Sequence, residues 1–493
     1  MIQGARRKTL VCFGAGALSV AGFGDLPLWP LTLLSFVILL WTWLRALSAR
    51  EAAWCGFAYG LGSFLVGVSW VYVSLHDFGM MPAPLAALAT LLFCLGLALF
   101  PAATGYIQAR FAVQPAIRLM MLAPACWMLT EWTRGWLLTG FPWLALGYSQ
   151  LETPLSGYAP VLGVYGLTLL ATMAMGCVVA MIALRGRAGL NGAVLLTVLI
   201  GGGLALRNVE WTQPNGAPIS VSLLQGNIPQ ELKFVPGRYQ HTLETYARLA
   251  QNAPAKLTVL PETAIPRFFD QVEPEYIERL REHAARQSGD MLVPVPMHDE
   301  QDRYYNAVVS LGQASMQSYA KVHLVPFGEF VPPGFGWIVN VLQIPLSDFS
   351  SGSAAQRPLH VAGERVALNV CYEDAFGEEI IRQLPEATLL VNVSNVAWFG
   401  DSLAPEQHLR IARMRSLETG RYMLRATNTG ITAIIDATGT VRKRLPAFTE
   451  GALSGSAQGY GGATPYVRFG NWAVVILSLV LIALSTLNAG RRA

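Results

Sequence analysis

Charged residues are scarce in this sequence. Lys, Arg, Asp and Glu fill 13% of its 493 positions, against roughly 25% in an average soluble domain. A disordered chain is excluded, because 53% of the residues are hydrophobic and disorder requires low hydrophobicity. The formal net charge of +4 offers no strongly basic surface for nucleic acid. So few charges also argue against a wholly soluble protein.

The shortage of charge is confined to part of the chain. Residues 1–206 carry 15 charged side chains and residues 207–467 carry 48, whereas residues 468–493 carry three arginines and no acid. A membrane helix needs about 20 mostly apolar residues. The distribution therefore predicts a seven-helix transmembrane domain at 1–206, an extracytoplasmic domain at 207–467, and a last membrane helix with a cytoplasmic tail at 468–493.

Eight apolar segments are the candidate spans. They are residues 9–24, 28–44, 53–75, 84–108, 119–136, 158–184, 188–206 and 471–489. If the spans alternate in direction, most basic residues fall on one side, and that side is the cytoplasm by the positive-inside rule. These residues are Arg6, Arg7, Lys8, Arg45, Arg50, Arg110, Arg118, Arg185, Arg187, Arg491 and Arg492. Both termini are therefore predicted to be cytoplasmic.

Two ionisable residues, Glu131 and Arg134, lie near the end of the fifth span. They are three positions apart on one helix face, so we expect them to pair. The loop that follows, residues 134–157, contains Trp136, Trp143 and Tyr148. It admits two interpretations, an aromatic belt at the membrane interface or a re-entrant segment that guides a lipid tail.

Short apolar strands alternate with amphipathic helices between residues 207 and 467. The predicted strands are 220–226, 257–262, 291–297, 306–312, 365–373 and 388–395, and the predicted helices are 236–253, 274–287 and 402–421. This alternation predicts an α/β layered fold with a mixed sheet. The arginines at 410, 413, 415 and 421 are interpreted as a solvated basic face of the last helix.

Cysteine is scarce and unevenly placed. Five of the six cysteines lie in predicted spans, and Cys371 alone lies in the domain at 207–467. No disulfide can form within that domain, and burial is the ordinary explanation of a lone cysteine. However, Cys371, Glu262 and Lys321 each follow an apolar strand, and strand ends in α/β folds are where sites form. A thiol, an acid and a lysine can act as nucleophile, base and electrostatic stabiliser.

Motifs for other chemistries are missing. The sequence contains no GxxxxGK[ST] phosphate loop and no HExxH or CxxC metal motif, and its seven histidines are scattered. We therefore expect no metal and no other cofactor. A Cys–His pairing of Cys371 with His323 is the alternative to a Glu262 base.

Seven segments resemble the apolipoprotein N-acyltransferase family of the carbon–nitrogen hydrolase (nitrilase) superfamily. They are RGWLLTGFPWLALGYSQ, QGNIPQELK, PETAIP, KVHLVPFGEFVP, CYE, NVAWFGDS and GITAIID, and the resemblance runs over nearly the whole chain. It implies eight transmembrane helices and an αββα sandwich domain on the periplasmic side of a bacterial inner membrane. It also implies Glu262 as general base, Lys321 as transition-state stabiliser and Cys371 as nucleophile.

Further roles follow from the same resemblance. It implies supporting or oxyanion roles for Glu329, Tyr372 and Glu373, and substrate contacts for Phe234, Trp143 and Trp398. The implied reaction moves an acyl chain from a phospholipid such as phosphatidylethanolamine, through a Cys371 thioester, to the α-amino group of an N-terminal diacylglyceryl-cysteine. The product is a triacylated lipoprotein, and the enzyme is expected to be a monomer without nucleic-acid partners.

Two positions depart from the family's pattern. Phe234 stands where the family usually has Trp, and Val396 stands where it usually has an acid. Neither belongs to the implied catalytic set, so they bear on acceptor fit. The stretches 326–336 and 345–358 are the candidate lid for the second lipid. Their aromatic residues are Phe327, Phe330, Phe335, Trp337 and Phe349.

Two other functions stay open. A membrane-anchored amidase or nitrilase would use the same residues with water as acceptor. A transporter or receptor with a soluble cap would not need Cys371, and it would carry paired polar residues within its spans.

Overall fold

The structure is a computed structural model that describes residues 2–26, 28–332 and 348–490. The chain forms two compact units. One consists of Met1–Tyr72, Ala83–Glu210 and Arg468–Ala493, and the other of Val73–Pro82 and Trp211–Val467. Phe335 and Trp337 of the candidate lid, and Arg491 and Arg492 of the predicted tail, lie outside the described residues.

The first unit is helical. Its long helices are Ile2–Ser19, Trp29–Leu44, Ala49–Gly67, Ala83–Arg110, Ala123–Arg134, Ala159–Ala183, Arg187–Leu206 and Trp472–Gly490. Shorter turns lie between them, at Val20–Phe23, Pro115–Ile117, Arg118–Leu122, Leu137–Thr139, Leu146–Gln150 and Pro154–Tyr158. Each predicted span thus contains a helix.

Three helices in the described part of the chain are long and apolar enough to cross a membrane: Ala83–Arg110, Pro154–Ala183 and Arg187–Leu206. The bent pair Ala49–Gly67 and Trp70–Phe78, with 50° between its halves, raises this number to four. The remaining spans stay a prediction.

Glycines bring the helices of this unit into close contact. A Cβ atom at Gly16 would collide with the carbonyl oxygen of Tyr59, and one at Gly56 with that of Pro101. The backbones therefore touch where there is no side chain, which is how small residues pack membrane helices.

The predicted pairing of Glu131 with Arg134 is confirmed. Their side chains are 3.7 Å apart and only 6% and 4% exposed. Arg134 donates to the carbonyl oxygens of Phe141 and Trp143, at 2.5 and 2.6 Å. Glu131 accepts from the backbone N–H of Leu146 at 3.1 Å. The ion pair thus holds the loop that follows its own helix.

This loop is mostly packed inside the helical unit. Trp143 and Tyr148 are 2% and 1% exposed, whereas Trp136 is 52% exposed. The Trp143 ring packs edge-on against Trp70, with centroids 5.3 Å apart. The aromatic-belt interpretation therefore suits Trp136 alone, because the other two rings are covered by protein.

The second unit contains the fourteen strands described in the structure. They are β1 (Thr212–Pro214), β2 (Ile219–Gln225), β3 (Leu257–Val259), β4 (Asp290–His298), β5 (Tyr304–Gly312), β6 (Ser318–Ala320), β7 (Leu359–Val361), β8 (Glu364–Val370), β9 (Leu389–Ser394), β10 (Tyr422–Thr427), β11 (Ala433–Ile435), β12 (Val441–Arg444), β13 (Gly451–Ala457) and β14 (Tyr460–Gly462). Two six-stranded sheets have the orders β13-β2-β3-β4-β5-β6 and β12-β11-β10-β9-β8-β7, and β1 pairs with β14. Each large sheet has a parallel centre, β2-β3-β4 or β8-β9-β10, and antiparallel edges.

Helices and turns complete this unit. They are Ser74–Phe78, Gln230–Leu232, Pro236–Arg238, Tyr239–Asn252, Phe269–Gln271, Pro274–Arg286, Cys371–Ala375, Gly377–Ile380, Ile381–Gln383, Val396–Phe399, Ala404–Thr419 and Pro465–Phe469. The three predicted helices correspond to Tyr239–Asn252, Pro274–Arg286 and Ala404–Thr419, and six strands lie where they were predicted.

The two sheets pack face to face. One buried cluster takes apolar side chains from both sheets, including Val221, Val259, Leu368 and Val391. On the outer face of the first sheet, Tyr239–Asn252 and Pro274–Arg286 pack through residues such as Leu243. Ala404–Thr419 covers the outer face of the second sheet. The expected mixed sheet is thus present twice, in an αββα sandwich.

The prediction that these arginines form a solvated face of the helix Ala404–Thr419 is wrong. Arg410, Arg415 and Arg421 are only 4%, 1% and 1% exposed. Arg415 pairs with Glu418 at 3.1 Å, and Arg421 donates to the carbonyl oxygen of Ala387 at 2.8 Å. Only Arg413 is partly exposed. Most of this helix is enclosed, so protein partners take the place of water around the Arg415 and Arg421 side chains.

Candidate active site

The three proposed reactive residues lie at the ends of strands. Glu262 follows β3, Lys321 directly follows β6, and Cys371 directly follows β8. β3 and β6 run in the same direction in one sheet, because two antiparallel steps separate β6 from β4 and β4 is parallel to β3. Their carboxyl ends therefore meet at one edge, where α/β folds form sites.

Lys321 is buried between two carboxylates. Its side chain is 1% exposed, and its Nζ lies 2.8 Å from Glu329 Oε2 and 3.7 Å from Glu262 Oε1. A buried ammonium without an anion would be costly. The two glutamates therefore hold the lysine charged and fix its position.

Two residues that were not predicted orient the carboxylates: Asn306 through its side chain and Asn395 through its backbone N–H. Asn306 donates through Nδ2 to Glu262 Oε1 and to Glu329 Oε1, at 2.9 Å each. The backbone N–H of Asn395 donates to Glu262 Oε2 at 2.8 Å. Both oxygens of Glu262 are thereby held. For Asn306, a polar residue in an apolar strand was the available signal, because buried polar groups need partners. The backbone N–H of Asn395 has no such signal in the sequence.

Cys371 opens a tight turn. β8 ends at Val370 and a 3₁₀ turn runs over Cys371–Ala375, so the thiol lies one step beyond the strand in which it was predicted. Its φ is +53°, a conformation that non-glycine residues rarely adopt and that active sites often retain. The side chain is partly exposed, so a substrate can reach it.

Burial, reinforced by the Glu262 carboxylate, favours the protonated form of the Cys371 thiol. Burial raises the pKa of Cys371 well above its usual range, the Glu262 carboxylate raises it further, and Lys321 opposes both. Burial would lower the pKa of Lys321, but Glu329 and Glu262 outweigh it and raise that pKa far above its usual range. The positive charge of Lys321 therefore lowers the thiol pKa by less than burial and Glu262 raise it. A nucleophilic thiolate therefore requires a base during the reaction.

Glu373 joins the cysteine turn to the loop after β6. It is 2% exposed and accepts from the backbone N–H groups of Val370 and Val322 at 2.6 Å and of His323 at 3.0 Å. The Tyr319 hydroxyl also donates to it, at 3.0 Å. Glu373 thus fixes the spacing between the elements that carry Cys371 and Lys321.

A Glu373→Gln variant should change how stability depends on pH. Burial raises the pKa of Glu373 from 4.5 to about 7. A carboxyl group with a raised folded-state pKa stabilises the fold below its unfolded pKa, and this contribution is lost as pH rises through the folded pKa. Its full size is about 3 kcal/mol at 1.36 kcal/mol per unit.

The wild type should therefore lose Tm relative to this variant between about pH 5 and about pH 8. Thermal unfolding of both proteins in the same detergent measures the difference. If the difference in Tm between the two proteins stayed constant over that range, the pKa of Glu373 would not be raised in the folded state.

Aromatic rings surround the turn. The His323 ring stacks on Phe376 with centroids 3.6 Å apart, and Tyr372 packs edge-on against Phe376 at 4.9 Å. His323 Nδ1 also lies 3.1 Å from Glu379 Oε1. These contacts give His323 partners other than the thiol, so the Glu262 base is the better supported alternative.

Lys233 is a second buried lysine near the site. It is 2% exposed, and its Nζ donates to the backbone carbonyl oxygen of Glu262 at 3.0 Å. Burial lowers its pKa to about 8, and the nearby Glu262 carboxylate opposes this shift. It lies in the segment QGNIPQELK, although no role was predicted for it.

The remaining candidates lie in different surroundings. Phe234 is 43% exposed, which suits a substrate contact, and Trp398 is partly exposed and packs edge-on against Phe78 at 5.9 Å. Trp143 is buried in the helical unit. Val396 is 2% exposed, so this departure from the family's pattern fills an apolar position.

Part of the candidate lid is described. The backbone N–H of Phe327 donates to the carbonyl oxygen of Phe330 at 2.8 Å, and that of Phe349 to Glu329 at 2.9 Å. The Phe349 ring packs against Tyr304. In the described part of the chain, no group of three or more His, Cys, Asp or Glu side chains could hold a metal ion.

Two family models match the chain. The carbon–nitrogen hydrolase model matches residues 220–466, and the apolipoprotein N-acyltransferase N-terminal domain model matches residues 15–178. The apolipoprotein N-acyltransferase of Nitrosomonas europaea is 49% identical over 98% of this chain and 98% of its own length. That of Chromobacterium violaceum is 45% identical over 97% of this chain and 93% of its own.

A solved carbon–nitrogen hydrolase from Helicobacter pylori G27 is 16% identical, with a TM-score of 0.38, and covers 49% of this chain and 89% of its own. The αββα sandwich at residues 220–466 is of the carbon–nitrogen hydrolase class. The chain as a whole belongs to the apolipoprotein N-acyltransferase family. It is therefore an acyltransferase of lipoprotein biosynthesis and a membrane enzyme.

Proposed function

We propose that the enzyme works through a thioester on Cys371. In the first step the thiol attacks the ester carbonyl of a phospholipid, and Glu262 takes the thiol proton. The C–O bond then breaks, and the proton passes to the oxygen of the departing lysophospholipid. The observation that carries this proposal is the geometry of the site: Cys371, Glu262 and Lys321 follow strand ends, and the charged atoms of Glu262 and Lys321 are 3.7 Å apart.

In the second step an amine replaces the phospholipid. The α-amino group of a diacylglyceryl-cysteine attacks the thioester, the C–S bond breaks, and an amide forms. Glu262 takes a proton from the attacking nitrogen and returns one to the sulfur. An ester is exchanged for an amide, which runs downhill without nucleotide.

Two groups are proposed to stabilise the oxyanion. Lys321 supplies a buried positive charge that two carboxylates hold in place, so little reorganisation is needed as charge develops on the substrate. The peptide N–H of Tyr372, within the turn after the nucleophile, is the second candidate. Glu329 and Glu373 hold Lys321 and the Cys371 turn at a fixed spacing. Phe234 and Trp398 are proposed to contact the lipid substrates.

A membrane location suits both substrates. Each carries acyl chains, and removing them from a bilayer costs about 0.8 kcal/mol per CH₂. We propose that eight helices span the inner membrane with both termini in the cytoplasm and with residues 207–467 in the periplasm. The distribution of basic residues supports this orientation. The enzyme is proposed to act as a monomer with phosphatidylethanolamine as donor.

The test is an intact-mass measurement on the full-length enzyme in detergent with defined phosphatidylethanolamine. The wild type should gain one acyl chain on Cys371, and the Cys371→Ala variant should gain none. Adding a synthetic diacylglyceryl lipopeptide should discharge the adduct to the peptide amine.

The other outcomes are equally specific. Rapid discharge to free fatty acid without peptide would identify a hydrolase. An adduct of the same size in Cys371→Ala would refute the thioester, and full lipoprotein processing by that variant would favour a non-enzymatic role for the domain.

A further inference from the structure

A cluster of polar side chains lies buried next to Cys371 and has no part in the reaction proposed above. It consists of Asp374, Asn392, His408 and Arg425, each at most 1% exposed. They come from four different elements: the turn Cys371–Ala375, β9, the helix Ala404–Thr419 and β10. Burying so many polar groups is costly unless each is satisfied.

Two members of this cluster bind the backbone of the nucleophile. Asn392 donates through Nδ2 to the carbonyl oxygen of Cys371 at 3.2 Å. His408 Nε2 lies 3.3 Å from the same oxygen. A carbonyl oxygen has two lone pairs, so these two donors can occupy both.

The partners of His408 identify its proton. Nε2 lies 2.7 Å from Asp374 Oδ1 as well as 3.3 Å from the Cys371 carbonyl oxygen. A carboxylate and a carbonyl only accept hydrogen bonds, so Nε2 carries one hydrogen, which the closer Asp374 oxygen and the Cys371 carbonyl oxygen share. Burial and the neighbouring Arg425 lower the pKa of His408, so the ring is a neutral donor at neutral pH.

The other members hold these donors in place. Arg425 Nη1 donates to Asp374 Oδ2 at 3.0 Å and to Asn392 Oδ1 at 2.6 Å. Asn392 Nδ2 also donates to Asn369 Oδ1 at 2.6 Å, which fixes the orientation of its amide. Asp374 and Arg425 cancel in charge, so the cluster acts on Cys371 through hydrogen bonds and adds no net charge beside the thiol.

Cys371 needs such support. Its φ of +53° lies in a region that costs a non-glycine residue conformational energy and persists only when the surroundings impose it. A relaxed backbone would turn the thiol away from the ends of β3 and β6, which carry Glu262 and Lys321.

We propose that His408 and Asn392 are positioning residues. Their hydrogen bonds to the Cys371 carbonyl oxygen orient the thiol toward the acyl carbon, and Asp374 and Arg425 hold His408 in place. The inference rests on the proposed role of Cys371 as nucleophile. A displacement of about 1 Å can cost about 100-fold in rate, so losing one donor should slow acylation without weakening phospholipid binding.

The test compares variants of the full-length enzyme in detergent. His408→Leu removes the donor at similar volume, and His408→Gln keeps an N–H near its place. Thr419→Val is the matched control, because Thr419 is buried on the same helix and its hydroxyl bonds the Arg415 carbonyl oxygen. Two rates are measured by peptide mass spectrometry. One is the acylation of Cys371 by phosphatidylethanolamine, and the other is the alkylation of Cys371 by iodoacetamide.

His408→Leu should slow acylation about 10- to 100-fold, with the half-saturating phospholipid concentration unchanged, and should also slow alkylation. His408→Gln should recover most of both rates, and Thr419→Val should lower Tm without lowering either rate. If His408→Leu does not fold, Asn392→Ser removes the other donor and should give the same losses.

Unchanged rates in His408→Leu, or in Asn392→Ser where the first does not fold, would overturn the proposal. The proposal would also be overturned if Thr419→Val lost as much rate as His408→Leu and the two variants had the same Tm. The thioester mechanism fails separately, if wild-type Cys371 takes up no acyl chain. In that case the alkylation rate alone decides. A wild-type alkylation rate in His408→Leu, or in Asn392→Ser where the first does not fold, overturns the positioning role, and a slowed rate supports it.

Discussion

A Glu262→Gln variant should acylate Cys371 about 10²- to 10⁴-fold more slowly than the wild type, the range that a positioned general base contributes. The burial and negative surroundings that keep the thiol protonated make the base essential, because an amide cannot take the proton. Lys321 would remain charged beside Glu329, 2.8 Å away.

The fold should survive this change. The glutamine oxygen can accept from the Asn395 backbone N–H as Glu262 Oε2 does at 2.8 Å. The glutamine NH₂ group then faces Asn306 Nδ2, which Glu329 holds in its present orientation, so one hydrogen bond is lost at a cost of about 1 kcal/mol. We therefore expect a folded protein with a modestly lower Tm than the wild type.

Burst-phase acylation followed by intact mass measures the effect. Glu364→Gln is the matched control, since Glu364 is a buried glutamate at the opposite end of β8 that accepts from the Thr388 hydroxyl. It should acylate at the wild-type rate. A wild-type burst in Glu262→Gln would remove Glu262 from the role of base.

A Lys321→Met variant should lose both acyl transfer and stability. Removing the cation leaves Glu262 and Glu329 buried without the charge that balances them. Breaking a buried ion pair by deleting one partner typically costs about 3–5 kcal/mol. The oxyanion would lose its positive charge as well, so acylation should fall below detection.

A second substitution separates these two effects. In Lys321→Met combined with Glu329→Gln, one of the unbalanced charges is gone, so Tm should recover toward the wild-type value. Acylation should stay absent, because no cation is restored. Recovery of acylation together with Tm would show that Lys321 serves only the fold.

Sequence patterns located the strands that carry the site. Six predicted strands are present, and Glu262, Lys321 and Cys371 each follow a strand as expected. Strands such as β10 (YMLRAT) and β13 (GALSGSA) were not predicted, because a buried arginine in β10 and two glycines in β13 interrupt the apolar pattern. The arginines of Ala404–Thr419 were misjudged for a related reason, since charge alone does not distinguish a solvated guanidinium from a buried, paired one.

The sequence by itself determined the division into an apolar helical part and an α/β part, and it supplied the three candidate reactive residues. Apolar runs, charge density and a strand followed by a reactive side chain are local properties that a chain segment carries with it. Only the tertiary structure decided what surrounds the thiol. The Asn395 donor to Glu262 is 133 positions away in the chain, and His408 and Asn392 reach Cys371 from separate elements. Such contacts depend on how two sheets and a helix pack, and no local pattern encodes that packing.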